Sequence, residues 1–324
     1  VTGATALSPW LPTAPCTPGH CTAHPSGGRD HPTERAGAVL AVARLTAGIG
    51  AVLLGVLLAP AAGLLPAAAR LALARSWVRA VVRAFGVRVR YEGTAAALDG
   101  PLLVVANHVS WLDIPLVAAV LPGRMVAKAE VRRWPVLGTL AALGGTLFID
   151  RDRLRALPGT VRAMSGVLAG GGRVVVFPEG STWCGRAGGR FRPAAFQAAL
   201  DAGCAVLPVR IDYRPTGAAA YVGDDPLGAS LWRVVSARRM VADIRILDPI
   251  SSIRYSDRRA LAAAAQQAVS RQGVSQQGLP QQGVPQQGVP QRAVAKDSAN
   301  LPSPSVHQRD SSRSAASSSF RTPA

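Results

Sequence analysis

Leu102 to Pro115 reads LLVVANHVSWLDIP. A short apolar run, Leu102–Ala106, ends abruptly on Asn107 and His108, and the residues through Asp113 then turn toward a second apolar segment. A compact apolar run closed by turn residues is the signature of a strand, and an acidic residue ahead of a new apolar run suits a helix start. His108 therefore stands exposed at the end of a strand, the place where α/β folds assemble their sites.

The same alternation extends outward in both directions. Strands are predicted at Val87–Tyr91, Leu102–Ala106, Arg124–Ala127, Thr146–Ile149, Arg173–Phe177, Ala205–Ile211 and Ala242–Leu247. Helices are predicted around 113–120, 131–143, 156–169 and 192–202. Gly170, Gly171 and Gly172 stop one helix before a strand, and Asp201 with Gly203 do the same before another. The fold class is α/β, a sheet flanked by helices, within one catalytic domain over 87–270.

Upstream, no charged residue occurs between Arg44 and Arg70, a distance long enough to cross a bilayer core of about 30 Å as one helix. Pro60 and Pro66 are expected to divide this run into an inserted helix up to Ala59 and a shallower second one. Arg75, Arg79 and Arg83 then recur every four residues beside an apolar face that includes Trp77 and Phe85. That helix is expected to lie on the membrane, its cations toward head groups and its aromatics at the interface. Residues 35–86 thus read as a membrane-associated segment, with the denser Arg on its far side favouring a cytoplasmic catalytic domain at the cell membrane.

Both ends read differently. Residues 1–34 are rich in Pro, Thr, Gly and His and read as a disordered leader; residues 271–324 repeat QQGVP and close on a Ser-rich tail, also expected to be disordered. Cys16, His20, Cys21 and His24 in the leader match no closed zinc pattern. The formal charge is +18, but the Arg residues are scattered through apolar helices rather than gathered in an aromatic-laced stripe, which argues against a nucleic-acid partner.

His108 is the sole histidine of the catalytic domain. A neutral imidazole can take a proton from an alcohol near neutral pH, and Asp113, returned by the turn, can orient the ring and favour its charged form. This is a base with its orienter and needs neither a Ser nor a Cys nucleophile. Cys184 has no second core histidine to activate it and is expected to play a loop role. A lipid hydrolase would need a Gly, any residue, Ser, any residue, Gly elbow, which the core lacks.

Four patterns, NHVSWLD at 107–113, FIDR at 148–151, FPEG at 177–180 and LPV at 207–209, together resemble the PlsC-like glycerolipid acyltransferases over about residues 80–250. The resemblance implies that His108 and Asp113 are catalytic, with Asn107 and Ser110 in support. It implies that Arg151, flanked by Asp150, holds the acceptor's phosphate, that Phe177, Pro178, Glu179, Gly180 and Ser181 serve acceptor binding, and that Pro208 lies near the acyl site. Glu179 has two readings, a hydrogen bond to the acceptor or an ion pair that holds the loop.

The implied reaction moves an acyl chain from acyl-CoA or acyl-carrier protein to a lysolipid in the membrane, with no cofactor or metal. The main expectation is the sn-2 hydroxyl of 1-acyl-sn-glycerol-3-phosphate, giving phosphatidic acid, and the alternatives are a lyso-ornithine lipid or another lysolipid as acceptor, or a non-catalytic membrane-surface binding protein. One departure bears on this: Ser181, Thr182 and Trp183 follow Glu179 and Gly180 where the family usually has Thr and Arg. Arg186, Arg190 or Arg192 would then have to supply the missing cation.

Overall fold

The computed structural model describes residues 14–21, 35–93, 100–150 and 153–274. Arg151 and the repeat-containing tail lie outside these residues, as do their expected roles.

The elements run α1 (Pro18–Cys21), α2 (Ala38–Ala62), α3 (Ala67–Ala84), β1 (Val87–Glu92), β2 (Leu102–Ala106), α4 (Asp113–Ala118), β3 (Arg124–Lys128), α5 (Leu137–Leu143), β4 (Leu147–Ile149), α6 (Leu157–Ala169), β5 (Arg173–Val176), α7 (Ala194–Asp201), β6 (Ala205–Arg214), α8 (Thr216–Ala219), α9 (Leu227–Ser236), β7 (Met240–Ile246) and α10 (Arg258–Val274). The seven strands form one sheet in the order β1-β7-β6-β2-β5-β3-β4. All neighbours are parallel except β6 and β7. β2 sits at the centre between β5 and β6, with Val104 opposite both Val175 and Leu207. All five of its residues are buried, because helices cover both faces.

One face of the sheet packs Val104, Leu207, Ile211 and Ile244 against Leu112, Leu116 and Val234. The other packs Leu103, Val105, Val174 and Val206 against Leu168, Phe196 and Leu261. The alternation along β2, with Val104 to one side and Leu103 and Val105 to the other, is the two-residue period of a strand. These layers hold the C-terminal end of β2, and so His108, at the rim of a packed core.

The helical N-terminal region differs from its sequence reading in two respects. Helix α2 does not stop at Ala59 but continues through Pro60 to Ala62, and the break falls between Gly63 and Pro66. Pro60 lies in the last turn, where only a terminal part of the hydrogen-bond ladder is affected. Nor do Trp77 and Phe85 face a membrane interface. Trp77 donates its indole N–H to Ala51 O at 2.8 Å and lies against Gly55, while Phe85 covers Gly48 and meets Trp111 edge-on at 5.9 Å. Arg75 and Arg79 turn inward as well, donating to Val120 O and Ala119 O at the C-terminal end of α4, where unpaired carbonyls attract cations.

Helix α2 is clamped at its start. Arg44 donates to Val235 O and Ala237 O at 3.0 and 2.8 Å, and Ala41 and Gly48 are buried. Farther along, Leu53, Leu54, Leu57 and Leu58 are exposed. Mean hydropathy of its most apolar window is 2.1 with only 6% of that window buried, so the helix is consistent with membrane association.

The leader also departs from expectation where it is described. Residues 14–21 include a short helix, and Cys16 joins the core at 7% exposure. Helices α8, α9 and α10 were not anticipated; α10 carries the chain past residue 270 to Val274.

Candidate active site

The turn after β2 is built around one carboxylate. Asp113 is fully buried, and its Oδ2 accepts from Val109 N at 2.7 Å, Ser110 N at 2.9 Å and His108 Nδ1 at 2.8 Å. Its Oδ1 accepts from the Tyr213 hydroxyl at 2.5 Å. An Asp that caps the turn preceding its own helix fixes the backbone of residues 108–110, and the same oxygen fixes the imidazole. With Nδ1 bound to the carboxylate, Nε2 is the nitrogen left for chemistry. The ring stacks on Phe177 with centroids 4.2 Å apart, and the side chain keeps 18% exposure.

Around this pair the expected supporting residues have defined jobs. Asn107 exchanges two hydrogen bonds with Ile211, Nδ2 to O and N to Oδ1, both at 2.8 Å, which locks the end of β2 to β6. Ser110 is buried and its hydroxyl accepts from Leu112 N at 3.3 Å, tightening the turn. Pro208 lies in β6 opposite Val105, next to the strand that carries His108.

Glu179 takes the loop-holding role, but through backbone groups rather than an ion pair. One oxygen accepts from His108 N at 2.8 Å and the other from Gly189 N at 3.0 Å. It is 5% exposed, and burial pushes its carboxyl up to about 7 against those two donors. Phe177 and Pro178 lead into it, the carbonyl of Pro178 accepting from Arg192 N at 2.8 Å. Gly180 turns the chain at φ +77, a conformation that would strain any other residue. Ser181 is half-buried. Trp183 N–H donates to His108 O at 2.7 Å, while its indole N–H is buried without a hydrogen-bond partner among the described residues.

The candidate phosphate cations that are described differ in their surroundings. Arg186 donates to His20 O and Cys21 O at 3.2 Å each, so it grips the leader. Arg190 and Arg192 are exposed. Asp150 lies 3.5 Å from Arg153, and its expected partner Arg151 is outside the described residues.

Tyr213 is the site residue that sequence reasoning missed. Its signal was present in the alternation of β6, where Ile211 and Tyr213 point to the same face, and a buried tyrosine hydroxyl needs a partner. Burial, followed by the Asp113 charge, raises its pKa well above 10, so it stays a donor to Asp113.

The acyltransferase family profile matches residues 88–212, which contain the His108 turn, the Glu179 loop and most of β6. Over 205 residues the chain is 42% identical to the lyso-ornithine lipid O-acyltransferase of Pseudomonas aeruginosa, covering 61% of this chain and 76% of that one. It is 34% identical over 196 residues to the 1-acyl-sn-glycerol-3-phosphate acyltransferase of Neisseria meningitidis serogroup B, covering 59% and 76%. The crystal structure of the 1-acyl-sn-glycerophosphate acyltransferase PlsC from Thermotoga maritima shares the fold, with a TM-score of 0.60 at 21% identity, over 75% of this chain and 97% of that one. The chain belongs to the PlsC-like family of glycerolipid acyltransferases, and it is an acyltransferase that works on a lysolipid.

Proposed function

We propose that the chain esterifies the hydroxyl of a lyso-ornithine lipid with an acyl group drawn from acyl-CoA or acyl-carrier protein, using His108 as general base and Asp113 as its orienter. His108 Nε2 takes the acceptor's proton as the hydroxyl oxygen attacks the thioester carbonyl, and the imidazolium is stabilised by Asp113, 2.8 Å from Nδ1. The tetrahedral intermediate collapses with loss of the thiolate, which recovers the proton from His108. The catalytic domain works at the membrane from its cytoplasmic side, with α2 as its apolar contact.

The observation that carries the choice of acceptor is the make-up of the loop after Glu179. Ser181, Thr182 and Trp183 stand where the family this chain resembles usually continues with Thr and Arg, and Arg186 is engaged with leader carbonyls. A guanidinium grips phosphate through a charged fork, whereas the buried, unpartnered indole N–H of Trp183 offers one neutral donor. That suits an acceptor without a phosphomonoester, in line with the 42% identity to the Pseudomonas aeruginosa protein. A second reading, 1-acyl-sn-glycerol-3-phosphate, draws support from the 34% identity to the Neisseria meningitidis protein. In that reading Arg151 holds the phosphate.

The test is kcat/KM on the two acceptors with one acyl thioester, for the wild type and Arg151→Ala. The proposal expects lyso-ornithine lipid to be used at least tenfold better. Preference for the phosphate acceptor, lost on Arg151→Ala through a raised KM, overturns it. Release of free fatty acid in place of an esterified lipid would contradict acyl transfer itself.

A further inference from the structure

Cys16, Cys21 and Cys184 come from widely separated parts of the chain, yet their sulfurs all lie within 4.8 Å of one another. Three atoms so spaced share a centre no farther than about 2.8 Å from each, 4.8 Å divided by the square root of three, close to a Zn–S bond of about 2.3 Å. Cys16 and Cys184 are buried and Cys21 is half-buried. Cys16 and Cys21, two leader cysteines with four residues between them, gain their third partner from the loop beside His108.

Backbone donors surround these sulfurs. Arg186 N–H and Ala187 N–H donate to Cys184 Sγ, and Cys184 N–H donates to Cys16 Sγ. Gly185, at φ +81, allows the tight turn that aims the two following N–H groups back at the sulfur. Such donors favour sulfur that carries negative charge, and they are the usual outer support of a thiolate bound to metal. The Arg186 guanidinium, held on the carbonyls of His20 and Cys21, adds a positive charge beside the cluster.

Apolar burial accounts for only part of the position of the described leader. Helix α1 buries none of its own side chains, and Cys16 is the one fully buried residue of the described leader. Ala14 and Cys21 pack part-way against the core and Arg186 holds two leader carbonyls, and a bound ion would add a further tether.

We propose that Cys16, Cys21 and Cys184 bind one thiophilic divalent cation of the zinc class as three thiolates, with a solvent molecule as fourth ligand. Three thiol protons pass to solvent as the ion enters, leaving a site of one net negative charge next to Arg186. The ion's role is structural. Trp183, the residue before Cys184, donates its N–H to His108 O at 2.7 Å, so the ion fastens the leader to the loop that abuts the His108 turn. This site does not depend on which lysolipid is the acceptor.

The experiment uses the full chain, reduced and purified in detergent, loaded with Zn²⁺ or Co²⁺ and freed of excess ion. Elemental analysis should give one zinc per chain, and the cobalt form should show tetrahedral d–d bands with a thiolate-to-cobalt charge-transfer band. Cys16→Ser and Cys184→Ser should each weaken zinc binding by about a hundredfold or more, whereas Cys204→Ser, on the opposite face of the sheet, should bind as the wild type does. Absence of the charge-transfer band in wild-type protein overturns the proposal whether or not the variants fold. So does wild-type affinity in Cys16→Ser and Cys184→Ser, or a Cys16 to Cys184 disulfide in protein that takes up no ion once reduced.

Discussion

Asp113 satisfies four donors with two oxygens, and the order in which those donors matter can be measured. His108→Ala removes the proposed base and should lower turnover by about 10²–10⁴-fold with the fold retained; near-normal product formation by folded His108→Ala protein would defeat the mechanism. Tyr213→Phe removes one hydroxyl, the donor to Asp113 Oδ1. A hydrogen bond to a charged group is worth about 1.5–3 kcal/mol, so kcat should fall about tenfold or more with the acceptor KM unchanged. Loss of thermal stability with normal kcat would make Tyr213 a packing residue alone. Glu179 gives a pH signature of its own. Its carboxyl titrates near 7 in the folded chain against 4.5 as an ordinary glutamate, so the folded state holds the proton more tightly. Between those values the unfolded state binds fewer protons, and the contribution of Glu179 to stability falls as pH rises, flattening above about 7. Stability measured against pH should therefore drop more steeply from 4.5 to 7 in wild type than in Glu179→Ala. The variant should also lose about 1–3 kcal/mol at low pH, because the N–H groups of His108 and Gly189 are left unpaired.

At the scale of elements, the close approach of α2 and α3 depends on small residues. A Cβ on Gly48 would lie 2.2 Å from the Phe85 ring, and Phe85 in turn meets Trp111 inside the His108 turn. Gly48→Leu should cost about 1–3 kcal/mol and lower activity as well, since displacing Phe85 disturbs Trp111; a drop in melting temperature with full activity would show that the hairpin and the site are uncoupled. Most of the strands were legible as short apolar runs bounded by turn residues, β1 (VRVRYE) by its alternation instead, and the buried β2 matches its expected limits, Leu102–Ala106. Helix α9 was not, although its residues are strongly amphipathic, because Gly228 and Ser230 interrupt a short pattern. The geometry of His108 and Asp113 could be anticipated from a turn of fixed length. Tyr213 could not be assigned to Asp113, because only the pairing of β6 beside β2 brings them together. Trp77 and the helix α3 arginines were read as facing lipid, since amphipathicity reveals a face but not what covers it.

For the molecule as a whole, the reaction is expected to need the sheet, its covering helices and α10, and not the tail. A chain ending after Val274 should keep wild-type turnover and sediment with membranes. One beginning at Val87 should lose membrane association, because the exposed leucines of α2 are gone, and should lose stability, because Phe85 and Val82 leave the core. Fractionation of cells expressing each form, with activity assayed in detergent extracts, checks both outcomes. Inactivity of the Val274-terminated chain would assign the tail a part in the fold or the chemistry.

The pairing of first strand with last carries a consequence for how the chain is made. β1 pairs with β7, and Arg44 in α2 binds carbonyls at the end of α9. At roughly 5–20 residues per second, about 10–40 s pass on the ribosome between completion of α2 at Ala62 and of β7 at Ile246. Throughout that interval α2 has no folded domain to dock on, and its leucine-rich half stands bare. The bilayer, or a chaperone that delivers nascent chains to it, therefore meets this helix before its own enzyme does. If α2 is the membrane contact, anchoring is expected to be co-translational, with the acyltransferase domain closing afterwards onto a helix already in place.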